Sequence, residues 1–121
     1  NKGYIVVCFS GGFKNATEYA KDILGYDADF SNILHTKDGI LTGQVGGEMM
    51  FSDSKGQMLQ KLQTILKVTP QNTIAVGDGA NDLSMFKHAK TRVAFCAKQC
   101  LAQEATLVIK NKDLTQLLNI I

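Results

Sequence analysis

Apolar residues fall along this chain in two alternating rhythms. Residues 4–9, Tyr-Ile-Val-Val-Cys-Phe, form an unbroken apolar run, which predicts a strand buried on both faces, as in parallel sheets. Ser10-Gly11-Gly12 breaks it. From Phe13 the spacing turns helical, with Phe13, Ala16, Ala20, Ile23 and Leu24 on one stripe and Gly25 placed as a C-cap. Residues 30–51 read as β-rich, and Asp38-Gly39 between Ile33-Leu34 and Ile40-Leu41 signals a hairpin. A second helix is expected over about 54–67, with Met58, Leu59, Leu62, Ile65 and Leu66 apolar and Pro70 marking its end. Then follow a strand at 73–77, a helix at 80–89, a strand at 91–96, a short helix near 99–104 and a strand at 106–109. A last helix at 113–120 shows Leu114, Leu117, Leu118 and Ile121 on one side. Strands alternating with helices predict an α/β fold: a mainly parallel sheet flanked by helices on both faces. No internal repeat and no linker-like stretch divides residues 1–121, which read as one domain.

Composition narrows the class. A chain of 121 residues with 45% hydrophobic and 20% charged residues and a single Pro is globular. A net charge of +2, with both signs mixed along the chain, gives no support to a nucleic-acid partner or a polybasic membrane patch. No apolar run approaches a membrane span, and no signal peptide is visible. The three cysteines, Cys8, Cys96 and Cys100, are an odd number, which suits reduced thiols in a cytoplasmic setting. Cys96, Cys100 and His88 lack a fourth ligand and match no common zinc spacing.

The densest candidate chemistry lies in residues 73–85, TIAVGDGANDLSM. The apolar run Ile74-Ala75-Val76 ends in a glycine-flanked turn carrying Asp78, Asn81 and Asp82, and a helical pattern follows from Leu83. Two carboxylates delivered to one strand end, with no Lys or Arg inside the motif, suit a hard cation such as Mg²⁺. The alternative is one Asp as a helix cap and the other as a solvated loop charge. Ser10-Gly11-Gly12 sits at another strand end, where a hydroxyl and closely spaced amides can cradle an anion. There the alternative is a helix N-cap. Lys55 breaks two local rules. Ser54-x-x-Gln57 reads as a capping box, so Lys55 falls at the first helical position, where a cation opposes the helix dipole. Gly56 beside it costs helix stability. Rules broken together suggest a functional reason, such as a Lys aimed at phosphate, with a solvated side chain as the alternative.

Together these segments resemble the haloacid dehalogenase-like phosphatases, most closely the branch acting on O-phospho-L-serine. The resemblance runs from Tyr4 to the C-terminus. It is carried by Phe9-Ser10-Gly11-Gly12-Phe13, Lys37-Asp38-Gly39, Ser54-Lys55-Gly56, GDGANDLSM at 77–85 and Ala94-Phe95-Cys96-Ala97-Lys98. It implies a Rossmann-like core and Mg²⁺-dependent hydrolysis of a small phosphorylated substrate, phosphoserine, in serine biosynthesis. It assigns Asp78 to the metal and Asp82 to holding Lys55 or a metal-bound water. It assigns Asn81, Ser10, the Gly11 amide and Lys55 to the phosphoryl group. Another small phosphate ester, or a non-catalytic phosphate- or Mg²⁺-binding module, fits the same cradle.

The family's nucleophile and general acid/base lie in an Asp-x-Asp at the end of the first, central strand, ahead of a helical cap. The only Asp-x-Asp here is Asp27-Ala28-Asp29. It follows a helix end, comes after Ser10, and reads as loop carboxylates facing water. The expectation is therefore a partial core, inactive alone, that lacks the central strand and cap, with the missing segment supplied by the same or another chain. In the family that strand separates the ones ending at Phe9 and Gly77, so direct pairing of these two would count against the expectation.

Overall fold

The computed structural model describes residues 3–121. The chain forms two compact units, Asn1–Ser54 and Lys55–Ile121.

In the first unit, β1 (Val7–Phe13) leads into helix α1 (Lys14–Leu24), then β2 (Ala28–Lys37) and β3 (Ile40–Gly47). β1 and β2 run parallel, and β2 and β3 form an antiparallel hairpin. The Asp38-Gly39 turn closes that hairpin as the sequence predicts, with both residues at positive φ (51° and 77°), the requirement of a type I′ turn. Gly25 likewise caps α1 in the left-handed region, its amide bonded to the Lys21 carbonyl.

Two expectations change here. The strand does not stop at Ser10. It continues to Phe13, with Phe9 opposite Phe30 and Phe13 opposite Asn32, so four steps on β1 match two on β2. Ser10-Gly11-Gly12 is thus a bulge within a strand, and the N-cap position of α1 is Phe13. The apolar stripe of α1 is also not its buried face. Ile23 and Leu24 are exposed, and the helix buries Thr17 instead.

The reason lies in β2, which meets Thr17 with polar side chains. The Thr17 hydroxyl lies 2.6 Å from Asp29 Oδ2, to which it donates, and 2.9 Å from the Ser31 hydroxyl. Tyr26 donates its phenol proton to the Thr17 carbonyl. Lys14 stands 3.7 Å from Asp29, whose side chain is only 7% exposed. Asp29 is therefore a buried strand carboxylate rather than a loop charge facing water. Asp27 is exposed, but its Oδ2 accepts the Val6 amide at 2.7 Å and its own amide donates to the Val6 carbonyl. Both acids of the Asp-x-Asp are built into the fold.

The second unit contains α2 (Ser54–Leu66, whose first residue closes the first unit), β4 (Ile74–Gly77), α3 (Leu83–Phe86), β5 (Thr91–Phe95), α4 (Gln99–Ala102) and β6 (Leu107–Ile109). Its sheet is parallel throughout, in the order β4-β5-β6. Val93, Ala94 and Leu101 are wholly buried and form its centre with Ala75, Met85, Phe86, Ala89 and Ile109. Gln63 on α2 is a buried polar residue of this unit. Its amide donates to the Thr73 hydroxyl and the His88 carbonyl, both at 2.8 Å, which satisfies a buried side chain.

The expected helix at 80–89 is instead a 3₁₀ turn at Ala80–Asp82 followed by the short α3. The last helix is 3₁₀, at Leu114–Asn119, with Leu114 and Leu118 exposed. Among the described residues β1 pairs only with β2 and β4 only with β5, so the segments ending at Phe9 and Gly77 lie in different sheets. Among the described residues, no helix is long and apolar enough to cross a membrane.

Candidate active site

The strand-end turn after β4 is organised by one buried side chain. Asp82 is 3% exposed. Its Oδ2 accepts the amides of Asp78 at 2.9 Å and Gly79 at 3.1 Å. Reaching back three residues to Gly79 is the acidic half of a capping box. Its Oδ1 accepts a proton from Lys55 Nζ at 2.6 Å. The two side chains are 12% and 4% exposed, so this is a buried ion pair. Such a pair persists because the carboxylate has three donors and the ammonium an oxygen at charge-assisted distance.

The motif at 77–85 holds no Lys or Arg of its own, and the family resemblance gives Asp82 the holding of Lys55. Lys55 supplies the cation from α2, 27 positions away in sequence. Asp82 is consequently engaged on both oxygens, and Asp78 has the free-facing carboxylate of the turn. Its side chain is exposed while its backbone is held from both sides: the amide donates to Asp82 and the carbonyl accepts the Lys98 amide at 2.9 Å. An exposed acid on a pinned backbone is an oxygen donor whose root is fixed. Asn81 is exposed on the same turn.

Ser10 and Gly11 belong to the first unit. The Ser10 hydroxyl accepts the Gly12 amide at 3.0 Å, which leaves its own proton for another acceptor. The Gly11 carbonyl accepts Asn32 Nδ2 at 3.1 Å. Asn32 is buried, and its Oδ1 also accepts the Met49 amide at 2.9 Å while Nδ2 lies 3.3 Å from the Met49 carbonyl. One amide side chain thus ties the Ser10 bulge to the segment after the hairpin. Neither Asn32 nor Lys98 stands out as a site residue in the sequence. Asn32 is one of several polar residues in β2, so nothing in the sequence singles it out.

Residues 13–120 match the haloacid dehalogenase-like hydrolase family. A phosphoserine phosphatase of Wolinella succinogenes is 62% identical over 117 residues, covering 97% of this chain and 57% of its own. One of Methanocaldococcus jannaschii is 46% identical over 121 residues, covering 100% of this chain and 57% of its own. Among solved structures, a phosphoserine phosphatase in apo form superimposes with a TM-score of 0.95 at 46% identity, covering 100% of this chain and 60% of its own. A phospho-aspartyl intermediate analogue of phosphoserine phosphatase gives 0.94 at 46% identity, covering 100% and 58%. This chain therefore spans a little over half the length of the relatives it matches.

Proposed function

This chain belongs to the haloacid dehalogenase-like hydrolases, and on that premise we propose that it is the phosphate- and metal-binding part of a phosphoserine phosphatase. The reaction is hydrolysis of O-phospho-L-serine to L-serine and phosphate, a step of serine biosynthesis. The observation that carries this proposal is the buried Lys55–Asp82 pair beside the pinned, exposed Asp78. The names of relatives up to 62% identical support the choice of substrate.

Lys55 is held by Asp82 so that its ammonium can neutralise phosphoryl oxygens without searching for its position, the kind of preorganised charge that lowers a barrier most. Asn81 offers an amide from the same turn. Ser10 offers a hydroxyl proton and Gly11 a backbone amide, the roles that the family resemblance assigns them.

Mg²⁺ fits one position of this set. Among the described residues no group of three or more His, Cys, Asp or Glu surrounds a metal position, and both oxygens of Asp82 are engaged. Asp78 alone presents a carboxylate, and Mg²⁺ is commonly held by one or two carboxylates with substrate phosphate and water. When bound, the ion would add positive charge beside the phosphoryl oxygens.

The nucleophile is a separate matter. A relative solved as a phospho-aspartyl intermediate analogue supports attack by an aspartate. Asp27 and Asp29 are committed to the Val6 amide and to Thr17 and Lys14. On this proposal an Asp-x-Asp is supplied by a further segment, of this or another chain. Its first Asp attacks phosphorus as the bond to the serine oxygen breaks. Its second protonates that oxygen and then takes a proton from the water that hydrolyses the aspartyl-phosphate. These 121 residues alone then release no phosphate.

The test is phosphate release from O-phospho-L-serine by the protein at its full encoded length, with and without Mg²⁺. Activity that requires Mg²⁺ and is lost in Lys55→Ala and Asp78→Asn is expected. Hydrolysis of phosphoserine by the 121-residue chain alone, abolished by Asp78→Asn, would contradict the account of the nucleophile.

A further inference from the structure

We infer that Ser84 is a positioning residue for Lys55: its hydroxyl clamps the first turn of α2 to the turn that carries Asp82, and so sets the lysine on its carboxylate. The first amides of a helix have no partner inside it. That of Gly56, the third residue of α2, donates to Ser84 Oγ at 3.1 Å, 28 positions away. Ser84 Oγ in turn stands 3.5 Å from the Asn81 carbonyl, so its proton is directed back at the turn while a lone pair faces α2.

Gly56 explains why this contact can form. A Cβ there would lie 2.6 Å from the Ser84 carbonyl oxygen, 2.8 Å from its carbon and 2.9 Å from its Cβ. Two backbones meet with nothing between them, and Gly56 is buried. The glycine that looks like a fault in the helix is the place where the helix touches the turn.

Lys55 precedes Gly56 by one residue, and Asp82 precedes Ser84 by two. The clamp therefore sits directly behind the ion pair. Lysine is a point charge on a flexible four-carbon stem, and its ammonium stays at 2.6 Å from Asp82 only while the stem's root is fixed. Without the hydroxyl, the Gly56 amide loses its acceptor in a buried place, and the end of α2 must draw back to find water. Lys55 moves with it. The functional meaning of this clamp rests on Lys55 facing a phosphoryl group; the clamp itself does not.

The test is the ammonium signal of Lys55 in a ¹H–¹⁵N spectrum of the ¹⁵N-lysine-labelled 121-residue chain at low temperature, assigned by its loss in Lys55→Arg. An ammonium held in a buried ion pair exchanges slowly with water and is seen, whereas solvated ones are broadened away. The signal is expected in the parent chain and in Ser84→Thr, and is expected to vanish in Ser84→Ala while the backbone amide spectrum remains that of a folded protein. If Ser84→Ala does not fold, Ser84→Cys keeps the shape, weakens the acceptor, and must weaken the signal. An unchanged signal in whichever of Ser84→Ala and Ser84→Cys folds assigns Ser84 a merely structural role and overturns the inference, as does a parent chain without the signal. A chain that shows the signal but binds no inorganic phosphate contradicts the functional proposal and leaves the clamp intact.

Discussion

Gly77 and Asp82 touch with no room for a methyl group between them. A Cβ on Gly77 would lie 2.5 Å from Asp82 Cβ and 2.6 Å from its Cγ and Oδ2. The glycine is required here for space, because the carboxylate that organises the turn is tucked against the strand end. Gly77→Ala is therefore expected to displace Asp82 and to destabilise the chain by about 2 kcal/mol or more. Urea unfolding measures this. An alanine tolerated within about 0.5 kcal/mol would mean that Asp82 is not fixed as described.

Removing one member of the Lys55–Asp82 pair leaves the other buried without its partner. Asp82→Ala is expected to cost about 3–5 kcal/mol. Lys55→Met should cost less, because Asp82 keeps the amides of Asp78 and Gly79 and the methionine stem still packs. The double variant should show a coupling of about 1 kcal/mol or more in a denaturation cycle. Equal losses in the two single variants would contradict the assignment of Asp82 as the organiser.

Asn32 carries the equivalent load in the first unit. Asn32→Ala removes the donor to the Gly11 carbonyl and the acceptor of the Met49 amide. A loss of about 2–4 kcal/mol is expected for these buried bonds together. Hydrogen exchange at the Met49 amide should speed up in step with it. Asn32→Asp keeps that acceptor but sets a carboxylate oxygen against the two carbonyls, so it too should destabilise. Unchanged protection at Met49 in Asn32→Ala would contradict this role.

At the C-terminal 3₁₀ turn, Asp113 accepts the hydroxyl of Thr115 at 2.6 Å and its amide at 2.9 Å. Hydrogen bonds from the Thr115 side chain, then from its backbone, hold the Asp113 carboxyl below its ordinary range. A carboxyl lowered in the folded state adds stability above its unfolded pKa and loses it as pH falls through the lowered value. Thr115→Val removes the larger cause and keeps the amide, so the Asp113 pKa should rise toward the ordinary range in a ¹³C NMR titration. An unmoved titration would place the cause elsewhere.

What the sequence makes legible follows from locality. Asp38-Gly39 and Gly25 are readable because positive φ is a property of one or two residues. The Asp78 turn is readable because its glycines and acids are adjacent. The partner of Asp82 is not readable from the turn itself, since Lys55 arrives from another helix and nothing in 77–85 records it; only the family resemblance names it. The burial of Asp29 is hidden for the same reason: its hydroxyl partner Thr17 is 12 positions away on α1. Helical periodicity misleads at Ile23 and Leu24, where spacing reports an apolar face but not what covers it. The glycine at 56 looks like a helix defect until its contact with Ser84 is seen.

The most direct measurement of the central claim is an amide NMR titration of the 121-residue chain with inorganic phosphate and Mg²⁺. Shifts concentrated at Lys55 and at Asp78 to Asn81, with the Mg²⁺-dependent part lost in Asp78→Asn, are the predicted result. Phosphate and Mg²⁺ that leave these residues unmoved, or that shift residues elsewhere in their place, would contradict it.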